Sequence, residues 1–268
     1  MMLVTKRQGK GPPLLCLHGH PGTGRCMGVF TDALCQDFTT IAPDLRGYGR
    51  SRPTAPFTME QHLQDLSHIL ETFERPGPIL GWSLGGILAI ELALAYPDRV
   101  SGLILVGTAA RPRSSHPPVS WRDYGLTAAA GVINWLYPGL LWNIEVLGKR
   151  SLLRYLVSRH TPEAYRYIAK QGTPALLATS SQATQALNRA ISQGYNRLDA
   201  LAQIRQPCLM MAAANDVHIT PDSSRETAEM LPNCTWKLYS QVAHLMPWEI
   251  GGQITHDIES WLTEQRLK

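Results

Sequence analysis

Ile79-Leu80-Gly81-Trp82-Ser83-Leu84-Gly85-Gly86, running on into Ile87-Leu88-Ala89-Ile90-Glu91-Leu92-Ala93-Leu94-Ala95, decides how the rest of the chain is read. Pro76-Gly77-Pro78 gives a turn signal before a short apolar run, the pattern of a buried strand. The longer run after it carries one charge and closes on Tyr96-Pro97, the pattern of a buried helix. Between them lies Gly-x-Ser-x-Gly centred on Ser83. A serine on so tight a strand-to-helix turn takes a strained backbone conformation, which small neighbours make possible. Gly81 and Gly85 remove Cβ clashes, and Gly86 lets the helix come close to the sheet. The hydroxyl is raised to the sheet's carboxyl edge and faces a helix N-terminus, where negative charge is stabilised. A bare Gly-x-Ser-x-Gly arises by chance; with a strand before it, a helix after it and a third glycine it reads as a nucleophile elbow.

Outward from this turn the same alternation recurs. Before it come an edge strand within residues 2–7, a strand at Leu14–Leu17, a helix over 25–37, a strand at 39–42 and a helix from Thr58 to Phe73, with Thr58 as its cap. After it come strands at 100–106, 207–213 and 235–239, with helices at 221–231 and from about Trp248. Strands alternating with helices predict an α/β fold with a doubly wound, mostly parallel sheet. The alternation stops between residues 111 and 197, where aromatics, prolines and helical patterns occur without a strand. The expected organisation is one α/β core, 1–110 and 198–268, interrupted by a helical cap at 111–197.

The 268 residues, 44% hydrophobic and 17% charged, suit a globular chain with a large core. The net charge of +4 is spread without a run of like charges, which disfavours nucleic acid. Five cysteines without CxxC spacing read as free thiols in a reducing cytoplasm, and the N-terminus has no apolar signal-peptide region. No metal cluster is evident, and Gly22-Thr23-Gly24 lacks the lysine and spacing of a phosphate loop, so no cofactor is expected.

An alcohol is a weak nucleophile at neutral pH, so Ser83 needs a general base, and the base needs a carboxylate to orient it. The chain order after an elbow is Ser, then acid, then His, each at a strand's carboxyl end. Asp216 follows strand 207–213, whereas Asp222 fits the first turn of a helix. His244 follows strand 235–239, in Gln241-Val242-Ala243-His244-Leu245-Met246-Pro247-Trp248-Glu249. His62, His68 and His256 fall on helices. His218 lies near Asp216 but on the wrong loop for that order. The oxyanion hole needs two backbone N–H groups. One is that of Leu84, and the other that of His20, in the loop after the 14–17 strand.

His18-Gly19-His20-Pro21-Gly22, Asp44-Leu45-Arg46-Gly47-Tyr48-Gly49-Arg50-Ser51, the Gly81–Gly86 elbow, Asp216 and His244 together resemble the α/β-hydrolase superfamily. The elbow is similar to that of the carboxylesterase of biotin synthesis. Trp-Glu shortly after His244 resembles carbon–carbon bond hydrolases of aromatic ring degradation. Val242-Ala243, where the superfamily often has glycine, and Leu245, where those hydrolases have an aromatic, depart from the pattern. The resemblance implies a serine hydrolase acting on an ester or related acyl compound, with carbon–carbon hydrolysis as the alternative. A slow-turnover ligand receptor on the same fold is a third reading.

Gly125 to Ile144 is twenty residues without a charge, a length that raises the question of a membrane span. Asn134, Asn143 and Pro138-Gly139 argue against one. Trp135, Tyr137, Leu141 and Trp142 are instead expected, with Trp82 and Leu245, to line a pocket for a small, apolar acyl substrate.

Overall fold

The computed structural model describes residues 1–53 and 55–267. Seven strands are β1 (Thr5–Gln8), β2 (Pro13–Leu17), β3 (Thr39–Pro43), β4 (Gly77–Trp82), β5 (Val100–Val106), β6 (Cys208–Ala213) and β7 (Cys234–Tyr239). They form one sheet in the order β1-β3-β2-β4-β5-β6-β7. Only β1 runs antiparallel, against β3. All other pairs are parallel.

Side chains alternate between the two faces of each strand, and each face meets its own helices. Leu14, Cys16, Leu80, Ile104 and Leu209 join one apolar cluster with α1 (Gly28–Leu34). Leu15, Leu17, Ile79, Leu103 and Met210 join another, on the face covered by α2 (Met59–Glu71) and α3 (Leu84–Ala95). The fold is therefore doubly wound, as the alternation of strands and helices predicts. Thr58 caps α2 as expected, the Gln61 side chain accepting its N–H at 3.0 Å. The helix expected over 25–37 is a 3₁₀ turn, Gly24–Met27, followed by α1. It ends early because the chain turns tightly into β3, with the carbonyls of Cys35 and Phe38 against Gly9.

Between β5 and β6 lie α4 (Trp121–Leu136), α5 (Leu141–Val146), α6 (Leu153–Leu156), α7 (Pro162–Tyr167), α8 (Thr173–Leu177) and α9 (Ser181–Ser192). A π-helical turn, Ile168–Gly172, joins α7 to α8. No strand occurs in this stretch among the described residues. The chain closes with α10 (Pro221–Met230), α11 (Met246–Glu249) and α12 (Gly251–Glu264). Among the described residues no helix is long and apolar enough to cross a membrane.

Candidate active site

Ser83 sits between β4 and α3 with φ 54° and ψ −115°, a conformation that side-chain-bearing residues rarely adopt. The turn is held by its surroundings. Ser83 N–H donates to the Val106 carbonyl at 2.9 Å, and the Thr108 hydroxyl donates to the Ser83 carbonyl at 2.8 Å. Small residues are required just after it. A Cβ at Gly85 would fall 2.0 Å from the Leu17 carbonyl oxygen, and one at Gly86 would fall 2.3 Å from Thr108 Cγ2.

Three side chains from three strand ends meet here. Ser83 Oγ lies 3.1 Å from His244 Nε2, and His244 Nδ1 lies 2.7 Å from Asp216 Oδ2. The other Asp216 oxygen accepts the N–H groups of His218 at 2.8 Å and Ile219 at 3.0 Å. An ionised Asp216 fixes the tautomer: Nδ1–H donates to the carboxylate, which leaves Nε2 free to accept from Ser83. Burial works against the protonated His244 ring, but the charge and hydrogen bond of Asp216 outweigh it and hold its pKa above the ordinary value. Burial likewise opposes ionisation of Asp216, and the charge and hydrogen bond of His244, with the two N–H donors, bring its pKa below the ordinary value. His218 stands apart from the relay. Burial first, and then the neighbouring charge of His244, push its pKa down to about 4, so it stays neutral.

The loop after β2 lies against the serine: a Cβ at Gly19 would come within 3.1 Å of Ser83 Cβ. Among the described residues, neither the N–H of His20 nor that of Leu84 donates to another group. Leu84 is the first residue of α3, where a helix has no internal acceptor for its N–H. The His20 ring is fixed by a 2.9 Å hydrogen bond between its Nδ1 and the buried Tyr48 hydroxyl. Beneath it, His18 Nε2 accepts the Leu45 N–H at 3.1 Å. Ser83, His20 and His244 open onto a cavity of about 580 Å³, within the range of small-molecule sites. Among its described lining residues there is no Asp, Glu, Lys or Arg.

The α/β-hydrolase fold family matches residues 12–249. This chain belongs to that family. It is 36% identical to a pimeloyl-[acyl-carrier protein] methyl ester esterase of Vibrio atlanticus, over 88% of each chain. It is 28% identical to the enzyme of the same name from Vibrio parahaemolyticus, also over 88% of each. A thermophilic esterase of Thermogutta terrifontis superposes with a TM-score of 0.74 at 26% identity, covering 98% of this chain and 93% of that one. The chain is accordingly a carboxylesterase-like hydrolase.

Within this α/β hydrolase the pocket expectation needs correction. Trp82 and Leu245 line the cavity, but Trp135, Tyr137, Leu141 and Trp142 do not. All four point to solvent, with 56 to 64% of their surface exposed. The cause is which side chains anchor residues 125–144. Asn134 is fully buried, donating to the Tyr165 carbonyl at 2.8 Å and accepting the Gly139 N–H at 3.0 Å. Asn143 is fully buried as well and donates to the Ala130 carbonyl at 3.0 Å. With the asparagines turned inward, the aromatics between them turn outward.

The hydrolase's cavity wall comes instead from Tyr124, Ala128 and Val132 on α4, Leu156 on α6, Leu176 on α8 and Trp248 on α11. Residues 124, 128 and 132 follow the i, i+4 spacing of one helix face, a signal present in the sequence and overshadowed by the aromatics beyond it. Glu249 is a further residue that sequence reasoning left without a role. Its carboxylate accepts the N–H groups of Ala243 at 2.8 Å and Ser158 at 2.9 Å, tying the His244 loop to the segment after α6. Trp82 and Trp248 pack edge to face, ring centroids 5.2 Å apart, beside the same cavity.

Proposed function

We propose that the protein is a serine carboxylesterase that cleaves an ester of an uncharged, medium-length acyl chain through an acyl-enzyme. The observation that carries this reading is the Ser83–His244–Asp216 relay opening onto a cavity without charged lining. Ser83 Oγ attacks the ester carbonyl carbon as its proton passes to His244 Nε2. The oxyanion is held by the N–H groups of His20 and Leu84. The intermediate collapses, and the leaving alkoxide takes the proton from His244. Water then attacks the acyl-enzyme, giving a proton to the same Nε2, and Ser83 regains it as the acid departs. Asp216 takes no proton; it orients the ring and stabilises the imidazolium.

In this reading residues 111–197 act as a cap that supplies the acyl-binding wall and keeps water from the oxyanion. The names of the Vibrio relatives support a methyl ester of a carrier-linked acyl chain as one member of the substrate class. A cytoplasmic setting fits the free state of Cys16, Cys26, Cys35, Cys208 and Cys234.

The test is active-site labelling with a fluorophosphonate, set beside turnover of p-nitrophenyl esters from C2 to C10. One label should appear on Ser83, and Ser83→Ala should lose the label and about 10⁴ to 10⁶ of kcat with its circular dichroism unchanged. kcat/KM should rise by roughly 0.8 kcal/mol per methylene until the cavity is full. A folded Ser83→Ala protein with near-wild-type turnover would end the proposal.

A further inference from the structure

The exposed aromatics that left the pocket are concentrated on one part of the molecule. On α4, Asp123, Ala130 and Asn134 face inward, while Trp121, Tyr124 and Trp135 face solvent. Tyr137, Leu141 and Trp142 continue this surface across the turn into α5, and Trp121 is 83% exposed. Leu176 and Leu177 of α8, 61% and 80% exposed, stand at the cavity mouth, as Tyr124 does. So extended an apolar face on a water-soluble surface marks a docking site.

The charge of the same stretch is lopsided. Residues 111–197 hold eleven Lys and Arg against three Asp and Glu, a net +8 in a chain whose total is +4. Two of the three acids are paired within the stretch, Asp123 with Arg154 and Glu145 with Lys149, and acids outside it answer three more of its cations, Glu226 pairing with Arg111 and Arg113 and Glu91 with Arg197. Arg122, Arg150 and Arg166 are exposed and have no carboxylate partner among the described residues. Each sits beside the apolar face. Arg122 follows Trp121; Arg150 caps the carbonyl end of α5, its Nη1 donating to the Val146 carbonyl at 2.6 Å. The side chain of Arg166 packs against Gly139, in the turn between Tyr137 and Leu141.

We infer that the α4–α5 face docks on an anionic lipid surface, with the aromatics at the level of the headgroups and the arginines on lipid phosphates. Trp and Tyr favour that interface, and exposed cations are drawn to anionic headgroups. A second copy of the chain would bring two strongly positive stretches together. An acidic protein would answer the charge but leave a broad surface of Trp and Leu to be covered. A bilayer answers both, and places the cavity mouth where esters of apolar acyl chains accumulate.

The docking is independent of the hydrolytic reading, because sedimentation with lipid vesicles measures it without turnover. The intact protein is mixed with phosphatidylcholine vesicles, with or without one quarter phosphatidylglycerol. Binding to the anionic vesicles should be about tenfold or more the tighter and should weaken as salt is raised. Trp135→Ala combined with Trp142→Ala should weaken it about tenfold, as should Arg150→Glu combined with Arg166→Glu. Turnover of a soluble short-chain ester should stay at the wild-type level in both variants, since none of these residues lines the cavity. Absence of wild-type binding to anionic vesicles overturns the inference. So does binding that is equal on neutral vesicles, or that survives both pairs of substitutions. A dimer in size-exclusion chromatography that the Trp pair abolishes, without vesicle binding, assigns the face to self-association instead.

Discussion

The carboxyl edge of the sheet and the helices between β5 and β6 share one cavity but are built on opposite rules. At the sheet edge, apolar strands are buried and polar residues collect on the loops that follow them. Ser83, Asp216 and His244 all stand at such ends. In residues 125–144 the order is inverted: Asn134 and Asn143 are buried and fixed by backbone partners, while Trp135, Tyr137 and Trp142 face water. Hydrogen bonds hold the two buried amides in place: the Tyr165 and Ala130 carbonyls accept from Asn134 and Asn143, while Asn143 Oδ1 is left without a partner among the described residues. Reading position from hydrophobicity therefore succeeds at the sheet and fails in the helices. Substitutions that act on one region and spare the other test that contrast.

The largest effect belongs to the relay at the sheet edge. Asp216→Asn should lower kcat about 10⁴-fold with little change in KM for short esters, because the asparagine no longer fixes the His244 tautomer. The pH profile adds a second readout. In the proposed mechanism a neutral His244 serves as the base, and its pKa is held above the ordinary value, so wild-type kcat/KM should fall below a midpoint above 6.5. Asp216→Asn removes the attraction and leaves the burial, so residual activity should titrate at lower pH. A silent Asp216→Asn together with a damaging Asp222→Asn would reverse the assignment.

Next in size is the acid sensitivity of the core beneath the site. Burial, helped by the neighbouring charge of His18, lowers His62 to about 3, and burial lowers His18 to about 4 against the opposing Gly19 hydrogen bond and Asp44 charge. Both folded-state values lie below the unfolded value of 6.5, so between those limits the unfolded chain binds protons that the native protein does not. Stability is lost as pH falls through that window, at about 1.4 kcal/mol per unit for each histidine. The raised His244 acts in the opposite sense: its contribution is full below pH 6.5 and is lost as pH rises through its folded value. The balance favours a loss of several kcal/mol between pH 7 and pH 4.5, read from urea midpoints. His62→Phe should shrink the loss; equal wild-type midpoints at the two pH values would contradict the burial argument.

A smaller effect, confined to the elbow, comes from Gly85→Ala. The new methyl would meet the Leu17 carbonyl, which is backbone and cannot swing aside. A cost of about 3 kcal/mol is expected, with loss of activity as Ser83 and Leu84 shift. Unchanged melting and turnover would mean that the turn is looser than its glycines imply.

How far the chain could be read follows the same division. Strand periodicity and the three glycines of the elbow are local patterns that point to β4 and Ser83, and the chain order that follows such an elbow then points to Asp216 and His244 at the ends of their strands. The inward face of α4 depends on Asn134 reaching the carbonyl of Tyr165, a partner 31 positions away that no local pattern reveals. The role of Glu249 likewise depends on Ser158, 91 positions distant. The end of the expected 25–37 helix at Leu34 reflects packing of the Cys35 and Phe38 carbonyls against Gly9, again outside any short window.

The smallest effect separates two glycines of α4 that look alike in sequence. Around a Cβ at either Gly125 or Gly131 there is nothing within 4 Å, so alanine fits both. Glycine inside a helix costs roughly 0.5 to 1 kcal/mol relative to alanine, through the freedom it allows the unfolded chain. Each substitution should therefore raise the melting temperature by about 2 °C. Only Gly131 lines the cavity. Gly125→Ala should leave the chain-length profile of ester hydrolysis alone, whereas Gly131→Ala places a methyl in the cavity and, in the proposed reading, should lower kcat/KM for the longest esters that fit. If both variants gain stability and neither alters the profile, the acyl chain does not run along α4. If Gly125→Ala loses stability, the outward face of that helix is engaged in packing, and the contrast with the sheet edge fails where it is easiest to measure.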